Sequence, residues 1–239
     1  MFPTPIQKSA IFSQASYRIV LYLTLLIWLM PIFAIFLTSI RSLADINAGN
    51  YWGIPKNWVM IENYVQVFST TPMLLYFTNS LLITIPAVIF TLILSSLAGY
   101  SLAKHRFRGN FLIFAMFIAG NFVPAQILMI PVRNLTLELG LYDTKMGLIL
   151  FHAAFQTGFC TFFLRGFIKE LPHELVESAR MDGASEFEIY WRIIIPLVRP
   201  ALAALAVLEF TFIWNDYFWS LVLVQGEHAR PVTLGIQAL

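Results

Sequence analysis

Five stretches of this chain are long and apolar enough to cross a bilayer, which takes about 20 residues of α-helix. They run roughly from Ile19 to Ile40, Met73 to Ala103, Phe111 to Val132, Met146 to Ile168 and Ala201 to Val224. Hydrocarbon offers the backbone no hydrogen-bond partners, so single segments of this kind cross as α-helices. A mean hydropathy of +0.74 with 12% charged residues exceeds what one soluble core of 239 residues can bury. The sequence therefore predicts an all-α, polytopic membrane protein. A segment 1–18 precedes a transmembrane domain, 19–239.

The first run is too long for a signal-peptide core, and no A-x-A site follows it, so it reads as an uncleaved span. The second is longer than a crossing needs and is expected to start at the surface, near Thr71-Pro72. Pro31, Pro86 and Pro124 fall inside spans, where packed membrane helices tolerate them. A net charge of +2 is too small to suggest nucleic acid. Cys160 is the single cysteine, so no internal disulfide can form.

Lys and Arg gather on the cytosolic side of membrane proteins. With the N-terminus cytosolic, the inside receives Lys8, Arg18, Lys104, Arg106, Arg108, Arg165, Lys169, Arg180, Arg192 and Arg199. The outside receives Arg41, Lys56, Arg133, Lys145 and Arg230. This orientation puts the polar stretch 169–200 in the cytosol. The outer loop from Arg41 to Thr71 carries Trp52, Trp58 and Tyr64, which suit either interfacial anchoring or contact with an external receptor.

The stretch from Glu170 to Pro200 predicts two short helices joined at Asp182-Gly183-Ala184. Pro172 suits a first helical turn. Leu171, Leu175, Val176 and Ala179 recur at helical spacing, with Glu174, Glu177 and Arg180 on other sides. Gly183 can close the first helix in a left-handed conformation, and Ser185 to Glu188 reads as a capping box for the second. Phe187, Trp191, Ile194 and Ile195 form an apolar stripe that Pro196 is expected to end. Such a pair could dock a partner or lie passively on head groups.

Glu177-Ser178-Ala179, Asp182-Gly183-Ala184 and Ile195-Pro196-Leu197 resemble the EAA loop of ABC-importer permeases, with Ser178 where that family has alanine. Four further segments are similar to the second permease of maltose-type and glycerol-3-phosphate-type importers: Gly99 to Gly109, Gly140 to Leu150, Asn79-Ser80 and Trp214 to Tyr217. The resemblance implies a multi-pass subunit of a bacterial inner or plasma membrane, with a cytosolic coupling helix. Its partners would be a second permease, two ATP-binding subunits, an external solute-binding protein and the bilayer, with no nucleic acid. Its cargo would be a sugar, with a polyol or glycerol-3-phosphate as alternatives. It also implies that Glu177, Asp182 and Gly183 fix the hairpin, and that Glu174, Ser178, Ala179, Ala184 and Phe187 belong to the surface an ATPase meets. The family pattern has one more span after the fifth, so a fragment is expected.

No chemistry of its own is legible. The chain has no G-x-x-x-x-G-K-[ST] loop, so ATP would be hydrolysed by partner subunits and no cofactor is expected here. His105, His152, His173 and His228 lack metal-ligand spacing. His152 suits an interhelical hydrogen bond or a proton relay, and Lys104 to Arg108 a cytosolic positive anchor. Glu209 and Asp216 would each cost about 2.5–3.5 kcal/mol facing lipid, so they are expected to face protein or a water-filled path. At seven residues' spacing they would share a helix face, about 10 Å apart. With Asn215, and with Trp214 and Trp219 beside them, they could contact a sugar or simply bond neighbouring helices. Asn121 and Gln126 are further candidates for that path. Two other readings stay open: a secondary transporter or channel coupling ions through Glu209 and Asp216, and a membrane scaffold without transport.

Overall fold

A computed structural model describes residues 11–55 and 57–238. Lys8, Lys56 and most of the segment 1–18 lie outside the described residues. Every regular element among them is helical. The chain forms two compact units, Met1–Thr70 and Thr71–Leu239.

In the first unit, α1 (Ile11–Ser39) runs through Pro31. Short α2 (Leu43–Asn47) is capped by Ser42, and α3 (Met60–Thr70) follows. Arg41, placed by the sequence among the loop cations, is buried. Its guanidinium donates to the carbonyls of Asn50 and Gly53, and Asn63 donates to those of Ser39 and Arg41. The loop that follows α1 is thus tied down around a cation, while Trp52, Trp58 and Tyr64 stay exposed.

The second unit is built on α4 (Met73–Lys104) and α7 (Lys145–Glu170), with α10 (Ile195–Trp214) packed on both. Ser80, Thr84, Ala87, Thr91, Ser95 and Gly99 make a small-residue stripe on α4, all of it buried. Small side chains let membrane helices approach closely. At Gly99 a Cβ would stand 3.2 Å from the Arg165 backbone nitrogen, so any larger residue would push α4 and α7 apart by a few tenths of an ångström. The Thr91 hydroxyl donates to the Ala87 carbonyl within α4.

The third expected crossing, 111–132, is not one straight helix. It divides into α5 (Asn110–Gly120) and α6 (Ala125–Glu138), bent by 100° at Asn121–Pro124. Pro124 disfavours helical geometry at Val123, and Gly120 weakens the turn before it. Among the described residues, four helices are long and apolar enough to span, and the bent pair makes a fifth if it crosses.

The polar stretch forms α8 (Glu174–Met181) and α9 (Glu186–Ile189). Pro172 lies just before the first helix. The second helix does not stop at Pro196. A π-helical turn, Tyr190–Ile194, carries it into α10, and the Ile195 N–H bonds the Tyr190 carbonyl five residues back. Pro196, which has no N–H to offer, then falls in the first turn of α10, where none is needed. The last span accordingly ends at Trp214 rather than Val224. A break at Asn215–Tyr217 leads to α11 (Phe218–Leu223), then α12 (Val232–Gly235) and a 3-10 turn.

Candidate functional site

The hairpin of α8 and α9 is fixed by backbone and capping bonds. Gly183 has φ of +84°, and the Ala184 N–H reaches the Ala179 carbonyl, closing α8 with a left-handed turn. The Ser185 N–H donates to Glu188 Oε2 at 3.1 Å, and the Glu188 N–H donates to Ser185 Oγ at 3.3 Å. Val176 and Ala179 point inward and join Ile189, Ile194, Leu164 and Ile168 in one apolar cluster. Ala179 is therefore a packing residue rather than a surface one. Glu174, Glu177, Ser178, Asp182 and Gly183 are exposed, and Ala184 is half-buried. Asp182 makes no side-chain bond among the described residues, so the turn does not depend on its carboxylate.

The apolar stripe is not the expected one. Ile189, Tyr190 and Ile194 face the bundle, while Phe187 and Trp191 are 69% and 60% exposed. Leu175, expected inside, is exposed, and so is Met181. The π turn shifts the register by one residue and rotates the faces.

A carboxylate that the sequence did not single out holds this hairpin to α4. Glu186 Oε1 accepts from Arg180 Nε at 2.7 Å. Its Oε2 accepts from the Tyr100 hydroxyl at 2.8 Å and lies 3.0 Å from His105 Nε2. Tyr190 and Ser96 hydroxyls meet at 2.7 Å, and Lys104 Nζ donates to the Leu171 carbonyl at 2.6 Å. Tyr100 and His105 stand in the Gly99–Gly109 segment, far from Glu186 in sequence, so local pattern carries no sign of the link.

At the other end of the bundle the expected path residues separate. Glu209 is fully buried: its Oε1 accepts from Cys160 Sγ at 3.1 Å, and its Oε2 has no partner among the described residues. Asp216 lies beyond the end of α10, so the two carboxylates do not share a continuous helix face. It accepts from the Trp219 and Ser220 N–H groups at the start of α11, 3.6 Å from His152 Nε2. His152 thus serves helix-to-helix contact. Trp219 is buried against Phe151 and Trp214 stacks on Phe210, so Trp219 offers no free ring face. Asn215, Asp216, Thr211, Phe212 and Tyr217 line an open cleft of about 540 Å³. Asn121 and Gln126 sit exposed at the α5–α6 elbow, and neither lines that cleft.

Two polar anchors near this end were also missed as such. Asn79 donates to the carbonyls of Glu227 and Arg230, and Ser80 Oγ accepts from the Val232 N–H. Asp143 Oδ1 accepts from the N–H groups of Gln225 and Gly226 at 2.8 and 2.7 Å. Burial alone would raise the Asp143 carboxyl; those two N–H donors, then His228 and Arg230, outweigh it and hold the group below the usual carboxylate range.

Comparison with known proteins agrees with this architecture. The osmoprotective compounds uptake permease protein GgtD of Synechocystis is 32% identical over 98% of this chain and 80% of its own length. The arabinooligosaccharides transport system permease protein AraQ of Bacillus subtilis is 32% identical over 93% of this chain and 81% of its own. A crystal structure of a bacterial ABC transporter involved in the import of the acidic polysaccharide alginate superposes with a TM-score of 0.82. That match is 28% identical and covers 99% of this chain and 82% of that one. Residues 92–238 match the model of the binding-protein-dependent transport system inner membrane component, a stretch holding the hairpin, α7 and α10. The chain belongs to that family: it is a multi-pass permease component of a binding-protein-dependent transporter.

Proposed function

We infer that this chain forms half of the pathway of an ATP-driven sugar importer and that the α8–α9 hairpin is its grip for an ATP-hydrolysing subunit. The observation carrying this is the hairpin itself: a pair of short helices locked to α4 through Glu186, yet presenting Met181 and Phe187 at 88% and 69% exposure. Exposed apolar side chains on a rigid, charged frame suit a protein cleft, where buried aromatic anchors carry most of the affinity. With the N-terminus cytosolic, the hairpin faces the cytosol. A second permease completes the pathway, two ATP-binding subunits consume the ATP, and an external solute-binding protein delivers the cargo. Alternating access would move α4, α7 and α10 through the hairpin, and the chain itself would bind no cofactor.

The relative named for arabinooligosaccharides favours a polyhydroxylated solute. The cleft at Asn215 has the matching chemistry, with an amide, a hydroxyl at Thr211 and the rings of Phe212 and Tyr217. The test is reconstitution of the complete transporter in sealed vesicles. Sugar uptake is expected to require ATP, to survive an ionophore, and to bring ATPase activity stimulated by loaded binding protein. Gly183→Asp meets open space at its Cβ, so it costs about 1 kcal/mol of backbone strain. It should assemble yet lose most transport per ATP. Undiminished transport in that variant would contradict the grip.

A further inference from the structure

Between the end of α4 and the start of α5, an open cleft of about 600 Å³ is lined by Arg106, Arg165, Phe107, Phe111 and Leu112 among others, and by no carboxylate. The cations around it are not equivalent. Lys104 is spent on the Leu171 carbonyl, Arg180 on Glu186 and Arg192 on Glu188. Arg165 donates from Nε to the Leu102 carbonyl and lies 3.8 Å over the Phe114 ring, which fixes the guanidinium plane at the cleft wall. Arg106 lines the cleft and Arg108 stands two residues on; both are exposed, and neither has an ion-pair or hydrogen-bond partner among the described residues.

The opposite wall is apolar and open. Phe111 is 80% exposed and Leu112 63%, and α5 continues beyond them as an almost wholly apolar helix. Guanidinium groups without counterions beside bare aromatic and aliphatic side chains match one amphiphile well: a phosphodiester head with acyl chains attached. The cleft also lies where α4, a helix long and apolar enough to span a bilayer, ends after its 32 residues. Basic pockets between membrane helices on the cytosolic side take anionic lipids for this reason.

We propose that this cleft binds an anionic phospholipid of the cytosolic leaflet, with Arg106 on the phosphate, the exposed Arg108 two residues on adding positive charge nearby, and Phe107, Phe111 and Leu112 along the acyl chains. The site is independent of the sugar path and of the hairpin's grip, and rests only on the cytosolic placement of Lys104–Arg108. Labelling of Arg108→Cys by an impermeant maleimide from outside sealed vesicles would remove that placement, while the lipid measurement judges the cleft separately.

The complete transporter is purified in mild detergent and equilibrated with equal phosphatidylglycerol and phosphatidylcholine of one chain length, and retained lipid is counted by native mass spectrometry. The wild type is expected to keep phosphatidylglycerol in preference. Each surface arginine is worth about fivefold in affinity, so Arg106→Gln with Arg108→Gln should cut the preference about twenty-five-fold. Lysine at both positions should restore most of it. Equal preference in wild type and glutamine variant overturns the proposal, as does failure of the lysine pair to restore. Displacement of the lipid by millimolar inorganic phosphate would mark an anion site without lipid selectivity. A cross-link from Phe111→Cys to the second permease would mark a protein-filled cleft. Either result overturns the assignment.

Discussion

The two ends of the α4–α7–α10 bundle handle polar groups in opposite ways. At the Asp143 end, carboxylates and amides bond backbone groups of this same chain: Asp143 to Gln225 and Gly226, Asn79 to Glu227 and Arg230, Asp216 to Trp219 and Ser220. These bonds are made within the chain, and they tie down the loop Gln225–Val232. At the hairpin end, Glu186 gathers Arg180, Tyr100 and His105 in a half-exposed position, with Leu175, Met181, Phe187 and Trp191 left bare around it. One end turns most of its polar side chains onto its own backbone, though Asn79 Oδ1, Glu209 Oε2 and Arg230 Nε have no partner among the described residues. The other is rigid but incomplete, as a surface built to be held from outside must be.

The contrast breaks first at Asp143. Asp143→Ala removes the shared acceptor of the exposed Gln225 N–H and the half-buried Gly226 N–H, each bond contributing about 1 kcal/mol where water can partly replace it. A melting temperature lowered by several degrees, with ATPase-subunit binding retained, is expected by scanning fluorimetry. The pH dependence has a fixed sign. The carboxyl is depressed in the folded chain, so its contribution is full above the unfolded carboxylate pKa and is lost as pH falls through the folded value. The wild type should therefore lose stability in acid more steeply than Asp143→Asn.

Phe187→Ala sharpens the opposite side. An exposed ring contributes less than about 0.5 kcal/mol to folding. As an interface anchor it is worth about 2 kcal/mol, or roughly thirtyfold in affinity for the ATP-binding subunit. Titration of that subunit against the permease pair should show this weakening with an unchanged melting temperature. Glu186→Gln is expected next in size. It keeps the shape but weakens the Arg180 bond, so transport per ATP should fall severalfold while assembly persists. The smallest effect belongs to Glu209→Gln. The buried amide can still accept from Cys160, and stability should change by less than about 1 kcal/mol. Glu209→Leu, which removes the acceptor and alters shape, should cost more in the same melting assay.

Much of this was legible from local pattern. The long apolar runs gave α4 and α7 nearly to the residue, and Gly183 and the Ser185–Glu188 box gave the hairpin, because caps and turns act within a few positions. What failed was long-range or register-dependent. The π turn before Pro196 rotated Phe187 and Trp191 outward, which no fixed 3.6-residue spacing anticipates. The break at Asn121–Pro124 bent the third segment by 100°. Asp216 fell past the end of its helix and became a cap for the next. Glu186 and Asp143 looked like ordinary surface acids because their partners lie many residues away.

Cross-linking from position 187 reaches the centre of the account. In the assembled transporter, Phe187→Cys with a short bifunctional reagent should capture the ATP-hydrolysing subunit, with a yield that changes when ATP is added. Modification of the same cysteine by an impermeant maleimide from outside sealed vesicles, with no capture of that subunit, would contradict it.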